Sequence, residues 1–249
     1  KRSEYATMPT QQAISDLIPK NRRHFKVPIE ALSNGIDLSR FAPGRANPEI
    51  YQKYDLPKDK LTVLYVGRVD PEKSLEVLMH AFVEVQANVP EAQLVIVGDG
   101  TARPKLERIA AHAGITDKVH FTGRVVGDDL PQLYRTGDVF AITSTTETQS
   151  IVLMEAMASG LPAVAVRAGA VPELVKTGKN GYLCEPDDVD GVAKGLTKLL
   201  KNDEMRQKMA AESLKRVKKH DLSYTLTRME EIYHKVLDAR AEADDDEEE

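Results

Sequence analysis

Residues 61–67 read LTVLYVG and residues 92–98 read AQLVIVG, and these two stretches decide the fold. Each is a short apolar run rich in β-branched residues that ends on a glycine, and an amphipathic stretch follows each of them. Strands of this length that are apolar on both faces are typical of a parallel sheet covered by helices on both sides. The sequence therefore predicts an α/β fold with a doubly wound, Rossmann-like parallel sheet.

The same pattern recurs along the chain and predicts five further strands, at 27–33, 118–123, 138–143, 162–166 and 181–185. After residue 186 the sequence favours helices alone, at about 187–201, 203–219 and 222–240. Residues 34–60 are rich in proline, glycine and charge, which is typical of a linker. We expect a main domain at 46–220, a small segment with its linker at 1–45 before it, and a single helix at 221–240 after it.

Composition narrows the class of protein. A chain of 249 residues with 41% hydrophobic content can form one large or two small α/β units. The single cysteine, Cys184, excludes an internal disulfide and fits a reducing compartment. No apolar run is long enough to span a bilayer and no signal-peptide pattern opens the chain, so we expect a soluble, cytoplasmic protein. The first residues from Lys1 have the character of mid-domain sequence, which indicates a fragment of a longer protein.

The net charge of −5 arises from acidic residues at the C-terminal end of the given sequence. Seven of the 39 acidic residues lie in the last nine positions, AEADDDEEE, and the rest of the chain is nearly balanced against 34 basic residues. Such a run of like charges is typical of a solvated, disordered tail, which we place at 241–249.

Glycines mark the ends of three predicted strands, in YVGR at 65–68, IVGDG at 96–100 and FTGR at 121–124. Ligands of open parallel sheets bind where the strands end, so Gly67, Gly98 and Gly100 are candidates for close backbone contact with a ligand. For any one glycine taken alone, a tight turn is the favoured explanation. The stretch GDGTAR lacks the third glycine of GxGxxG, which argues against a dinucleotide-dependent dehydrogenase.

Two cations frame the loop GRVDPEKS at 67–74. Arg68 follows a strand and Lys73 precedes the next helix, so both are expected at the mouth of the sheet. An arginine fork and a lysine point charge suit a pyrophosphate group. The alternative is that both are solvated loop charges.

The stretch TSTTETQSIVLMEAMASGLP at 143–162 contains two unusual carboxylates. Glu147 lies in a loop, whereas Glu155 lies inside an apolar, small-residue helix predicted at 150–159, where an unpartnered charge costs several kcal/mol. The helix begins near Ser150 and Ile151, whose amides are suited to phosphate. Vicinal hydroxyls of a sugar are one possible partner of Glu155, and a core arginine or lysine is the other. A nucleoside diphosphate joined to a sugar matches the whole set.

Six ordered stretches resemble the successive signatures of glycosyltransferase family 4, the retaining GT-B enzymes that use nucleotide sugars. They are SNGIDLSRF, YVGRVDPEKS, LVIVGDG, VHFTGRV, ETQSIVLMEAMASGLPAVA and GAVPELVKTGKNGYLCEPDD. The resemblance covers residues 5–220, and its most specific part is the pair of glutamates separated by seven residues and followed by AMASGLP.

The resemblance implies a role for each candidate residue. Arg68 and Lys73 would hold the donor phosphates, and Glu147 would contact the transferred sugar. Glu155 would bind the ribose hydroxyls. The remaining assignments are the amides of Ser150 and Ile151 for the diphosphate, and Arg124 and Val125 beside the base. Ser74 and Ser150 stand where the family usually has glycine, which puts the closeness of the backbone approach in doubt.

For the whole protein the resemblance implies the donor-binding, C-terminal half of a GT-B architecture that transfers a hexose from UDP-sugar or GDP-sugar to an acceptor hydroxyl. No cofactor and no metal are expected, because Arg68, Lys73 and the helix dipole would neutralise the phosphates. No histidine belongs to a spaced ligand cluster; the six are His24, His80, His112, His120, His220 and His234. Residues 1–45 would be the remnant of the acceptor domain, the helix at 221–240 would cross back to it, and the fragment alone would be inactive.

Other partners and functions stay open at this level. Arg22, Arg23 and Lys26 could attract an anionic membrane, which favours a glycolipid acceptor and a peripheral position at the inner face of the membrane. No nucleic-acid partner is expected. The alternatives are a non-catalytic nucleotide-sugar-binding module, and a GT-B nucleotide-sugar epimerase or phosphorylase.

Overall fold

The computed structural model describes residues 4–18 and 27–248, with side chains to residue 241. It divides into two compact units, one of residues 38–218 and one that combines the chain up to 37 with the chain from 219 onward. Arg22, Arg23, His24 and Lys26 lie outside the described residues, so the expected membrane contact stays a prediction.

The larger unit contains a six-stranded parallel sheet, as the sequence predicts. Its strands are β3 (Thr62–Val66), β4 (Gln93–Val97), β5 (Val119–Gly123), β6 (Val139–Ile142), β7 (Ala163–Val166) and β8 (Gly181–Cys184). The spatial order is β5-β4-β3-β6-β7-β8. From β3 the chain adds β4 and β5 on one side, and it then crosses to the other side of β3, where it adds β6, β7 and β8. This is the strand order of a doubly wound Rossmann sheet.

Eight α-helices connect and cover these strands. They are α2 (Pro48–Lys53), α3 (Leu75–Asn88), α4 (Arg103–His112), α5 (Asp129–Tyr134), α6 (Ile151–Ala158), α7 (Val171–Leu174), α8 (Val189–Leu200) and α9 (Asp203–Val217). The apolar face predicted for α3 packs into the core, where Leu78, Phe82 and Val85 are fully buried. Asp188 starts α8 by accepting a hydrogen bond from the amide of Gly191 at 2.9 Å.

The core lies on both faces of the sheet, because every residue of β3 and β4 is buried. Strands covered on both faces cannot alternate between apolar and polar residues, which explains the continuous apolar runs. The largest side chains of the core include Tyr65 and Tyr134. Both tyrosines are buried close to the carboxyl ends of the strands, and their hydroxyls find polar partners there.

The smaller unit contains β1 (Ala6–Met8), α1 (Gln11–Leu17), β2 (Ile29–Ala31) and α10 (Leu222–Glu248). The two strands are parallel, and Thr10 caps α1 through the amide of Ala13. Glu30 on β2 accepts two hydrogen bonds of 2.8 Å from Arg228 on α10 and one from Tyr5. The Arg228 guanidinium lowers the pKa of Glu30 to about 2.

Two boundaries differ from those expected. The proposed linker at 34–60 joins the larger unit from residue 38, because Ile50 and Leu56 are buried there and Asn47 starts helix α2. Helix α10, expected to end near residue 240, continues to Glu248, and the expected disorder of 241–249 stays a prediction. No glycine or proline occurs after Leu222 to end the helix. None of the helices built by the described residues combines the length and hydropathy needed to cross a membrane.

Gly98 is one of the positions where the fold tolerates no side chain. Its φ is +148°, and a Cβ atom would lie 1.8 Å from the carbonyl oxygen of Gly67. We expect Gly98→Ala to lower the free energy of unfolding by more than about 2 kcal/mol, because backbone must move to admit the methyl group. Urea denaturation measures this loss.

Gly178→Ala is the matched control. Gly178 also has a positive φ, of +76°, but nothing lies within 4 Å of its would-be Cβ. Only the left-handed strain of about 1 kcal/mol should appear there. Equal losses at the two positions would contradict the proposed close approach of the strand ends.

Candidate functional site

A cavity of about 330 Å³ opens at the carboxyl ends of β3 and β4, beside the start of α6. Seven of the residues singled out by the sequence line it: Gly67, Arg68, Gly98, Arg124, Val125, Ile151 and Glu155. The other lining residues are Val66, Val97, Asp99, Leu130 and Val152. The cavity therefore has a mainly apolar wall with two arginines, one aspartate and one glutamate at defined positions.

The position of the cavity follows from the strand order. Between β3 and β6 the direction of winding reverses, so the loops that leave these two strands part and expose a crevice. The loop after β3 carries Arg68 and Lys73, and the loop after β6 carries Glu147. Residues separated by more than 70 positions are thereby brought to one edge.

The three glycines have different roles at this edge. Gly67 and Gly98 line the cavity with positive φ values, and the two strand ends approach each other there without side chains. Gly100 does not line the cavity. A Cβ atom added at this position would lie 2.4 Å from the carbonyl oxygen of Val69. Gly100 therefore allows two loops to pack.

Arg68 is the more accessible of the two predicted phosphate ligands. Its side chain is 66% exposed, and its two Nη atoms lie 2.8 Å from Asp70 and 2.7 Å from Glu72. The pair with Glu72 is exposed and contributes at most about 1 kcal/mol, whereas the Asp70 side chain is only 19% exposed. A diphosphate could therefore displace Glu72 from the guanidinium at low cost.

Lys73 and Glu147 bind each other. The Lys73 Nζ lies 2.7 Å from the Glu147 Oε1, and the two side chains are only 18% and 11% exposed. Neither residue lines the 330 Å³ cavity. Because a shielded pair loses much hydration, removal of one partner leaves a costly unpaired charge. The pair therefore couples the loop after β3 to the loop after β6.

Glu155 lies half-buried on α6 and takes its hydrogen bond from a tyrosine. The Tyr134 hydroxyl donates to the Glu155 Oε2 at 2.7 Å. Burial raises the pKa of Glu155, whereas the bond from Tyr134 and the charge of Arg40 lower it. The structure therefore gives Glu155 a neutral donor in place of the core arginine or lysine considered as one alternative, and the carboxylate also lines the cavity.

Two serines occupy backbone positions that favour glycine. Ser74 precedes α3 with φ of 51°, and Ser150 precedes α6 with φ of 59°; neither side chain caps its helix. Ser150 is 4% exposed and its Oγ has no hydrogen-bond partner. The two departures from the family pattern thus fall where a left-handed backbone conformation is required.

Three contributors to the site were missed from the sequence. Tyr65 donates to the carbonyl of Arg68 at 2.7 Å, and Tyr134 supports Glu155. Gly169 has φ of +52°, and a Cβ there would lie 2.2 Å from the carbonyl oxygen of Glu147. The spacing of Leu130, Leu133 and Tyr134 indicates a buried helix face, but it does not indicate the partner of the hydroxyl.

Within the described residues no group of three or more histidine, cysteine or acidic side chains is placed to hold a metal ion. The expected independence from metal stays a prediction.

Comparison with known proteins assigns the chain to a family. Residues 46–216 match the model of glycosyl transferases group 1, and the chain belongs to that family. The predicted α/β, doubly wound fold is confirmed by the parallel sheet and by GT-B neighbours among solved structures.

Two curated relatives and one solved structure define the similarity further. A sulfoquinovosyl transferase of Arabidopsis thaliana is 34% identical over 79% of this chain and 38% of its own length. A GDP-mannose-dependent phosphatidylinositol monomannoside mannosyltransferase of Mycolicibacterium smegmatis is 35% identical over 69% of the chain and 47% of its own length. The chain thus spans less than half of either relative.

The solved structure of Anabaena HepE in complex with UDP-glucose has a TM-score of 0.81 and 23% identity, over 94% of this chain and 65% of that one. At this identity the similarity concerns the fold.

Ser150→Gly should raise the free energy of unfolding by about 1 kcal/mol, because it removes both the left-handed strain and a buried hydroxyl without a partner. Ser74→Gly relieves a similar strain but removes no such hydroxyl, so its gain should be smaller. Thermal and urea denaturation of the two variants measure the difference. A loss of stability at position 150 would contradict this description of the helix start.

Proposed function

We propose that this chain is the donor-binding part of a retaining glycosyltransferase, which transfers a hexose from a nucleoside diphosphate sugar to an acceptor hydroxyl. The observation that carries the proposal is the cavity at the switch point of the sheet. It combines two arginines, the start of helix α6 and one half-buried carboxylate within about 330 Å³. These are the groups that a diphosphate and a ribose require.

The diphosphate is assigned to Arg68 and the start of α6. Arg68 lines the cavity with a side chain that is 66% exposed, and one of its two carboxylate partners, Glu72, is exposed, so the guanidinium can turn toward a stronger anion. Ile151 lines the cavity as the first residue of α6, where helix amides and the helix dipole favour negative charge. As the glycosidic bond breaks, these groups stabilise the charge that develops on the leaving diphosphate.

The nucleoside is assigned to the opposite part of the cavity. Glu155 supplies carboxylate oxygens for the two ribose hydroxyls. Val125 and Leu130 offer apolar surface for a base, and Arg124 offers hydrogen-bond donors at its edge. Nothing in this set selects a uracil over a guanine, so both UDP-sugar and GDP-sugar stay candidates.

The transferred sugar is assigned to the Lys73–Glu147 pair. The pair is shielded from solvent and lies at the ends of the two loops that form the crevice. Glu147 has carboxylate oxygens to accept sugar hydroxyls, and Lys73 offers charge toward the β-phosphate. The retaining outcome and the independence from metal come from the family resemblance and belong to the proposal.

The names of the similar proteins support a nucleotide-sugar donor. One relative is GDP-mannose-dependent, and HepE was solved with UDP-glucose. An acceptor domain, a glycolipid acceptor and a peripheral position at the cytoplasmic face of the membrane complete the proposal for the whole protein.

The deciding experiment is calorimetry with UDP and GDP in the presence of EDTA. We expect at least one of them to bind without divalent metal, because Arg68, Lys73 and α6 supply the neutralising charge. Arg68→Ala should weaken the binding of the nucleoside diphosphate by about 1.5–3 kcal/mol and leave the binding of the free nucleoside almost unaffected. Arg108→Ala, an exposed arginine on α4, serves as the matched control. Binding that appears only with magnesium or manganese rejects the metal-free site.

The two glutamates should respond differently, because they serve opposite ends of one ligand. Glu155→Gln should weaken the binding of UDP and of UDP-glucose alike, by roughly 1–3 kcal/mol. Glu147→Gln should leave the binding of UDP unchanged and weaken only the binding of UDP-glucose. Calorimetry of both variants with both ligands distinguishes the roles, and a selective loss of UDP-glucose at position 155 would reverse the assignment.

Stability separates these roles from purely structural ones. Because the pKa of Glu155 is raised on folding, its ionised form destabilises the fold as pH rises through that pKa. Glu155→Gln should therefore retain or raise the melting temperature at pH 7, while Glu147→Gln, which leaves Lys73 unpaired, should lower it. A large stability loss at position 155 without a loss of affinity would mark Glu155 as a core residue only.

A further inference from the structure

Tyr134 is fixed beneath the cavity by the packing of its ring. It is the last residue of α5, and its side chain is fully buried. Phe41 meets the ring edge-on with centroids 5.6 Å apart, and Phe140 of β6 lies 6.2 Å away. A ring held from two sides leaves its hydroxyl in one place.

The single proton of this hydroxyl goes to Glu155. The Oε2 of Glu155 lies 2.7 Å from the hydroxyl, and a second acceptor, the carbonyl oxygen of Val152, lies 3.2 Å away. The shorter, charge-assisted bond to a carboxylate is the stronger of the two. Oε2 therefore accepts the hydrogen bond of the buried tyrosine, and Oε1 remains to accept hydrogen bonds from a ligand in the cavity.

The hydrogen bond from Tyr134 orients the Glu155 carboxylate and also favours its ionised form. An ionised carboxylate presents acceptors alone to the ribose hydroxyls, whereas a protonated carboxyl presents a donor of its own. Burial favours the protonated form and raises the pKa of Glu155, while Tyr134 and Arg40 oppose that shift. Arg68, Arg124 and Asp99 are the other charged groups that line the cavity.

We propose that Tyr134 is a positioning residue of the nucleotide site, whose hydroxyl holds Glu155 as an ionised acceptor facing the ribose. Tyr134 reaches no ligand itself; it acts through Glu155. The inference rests on the proposed function and adds a residue to it.

The test is Tyr134→Phe in the full chain, because this substitution keeps the packed ring and removes only the hydroxyl. UDP should bind about 10-fold more weakly at neutral pH, and the loss of binding on acidification should begin at higher pH than in the unaltered protein. Inorganic pyrophosphate, which lacks the ribose, should bind with unchanged affinity. GDP replaces UDP throughout if it is the nucleotide that the unaltered protein binds.

Tyr182→Phe is the matched control. Tyr182 lies on β8, and its hydroxyl contacts the Sδ of Met205 at 3.3 Å, away from the cavity. This variant should bind UDP and pyrophosphate as the unaltered protein does. In the Glu155→Gln background, Tyr134→Phe should cause little further loss, because the two residues act through one contact.

Glu155→Asp keeps the charge but withdraws the carboxylate from Tyr134 by one methylene, and it tests the same contact if Tyr134→Phe does not fold. It should lose UDP affinity and retain pyrophosphate affinity. Folded Tyr134→Phe with unchanged UDP affinity and an unchanged pH profile overturns the positioning role. Equal weakening of UDP and pyrophosphate also overturns it. Failure of the unaltered protein to bind UDP or GDP rejects the proposed function itself.

Discussion

The reversal of winding between β3 and β6 is the constraint on which the rest of the structure depends. Adjacent parallel strands share hydrogen bonds along their length, but their loops must leave toward opposite sides of the sheet once the order reverses. The crevice between those loops therefore requires no special side chains to form. At the same edge the ends of β3 and β4 approach each other closely, which Gly67 and Gly98 permit.

The crevice gathers charge in two different environments. The Arg68 side chain is 66% exposed and is paired with Asp70 and the exposed Glu72, whereas Lys73 and Glu147 are shielded and paired with each other. Exposed pairs exchange partners at little cost, but shielded pairs resist separation. This difference suits a site in which one cation turns toward an entering anion while another keeps its loop in place.

The same edge also contains strained and unsatisfied groups. Ser74 and Ser150 adopt left-handed conformations, the Ser150 hydroxyl has no partner, and Glu155 is desolvated. Each of these features opposes folding, and a close-packed sheet with fully buried central strands compensates for them. Local departures from the best choice of residue are expected where a sequence serves a ligand as well as a fold.

The sequence by itself determined the α/β class, the strands, and the residues that follow them, because these depend on periodicities over five to fifteen neighbouring positions. It thereby placed Arg68 and Glu155 at one edge of the sheet. The tertiary structure alone decided which groups meet: Lys73 with Glu147 across 74 positions and Tyr134 with Glu155 across 21. It also decided that α10 continues to Glu248, beyond the boundary near residue 240 that the sequence predicts. Such pairings depend on strand order and loop direction, which bring distant residues together and leave no local pattern in the chain.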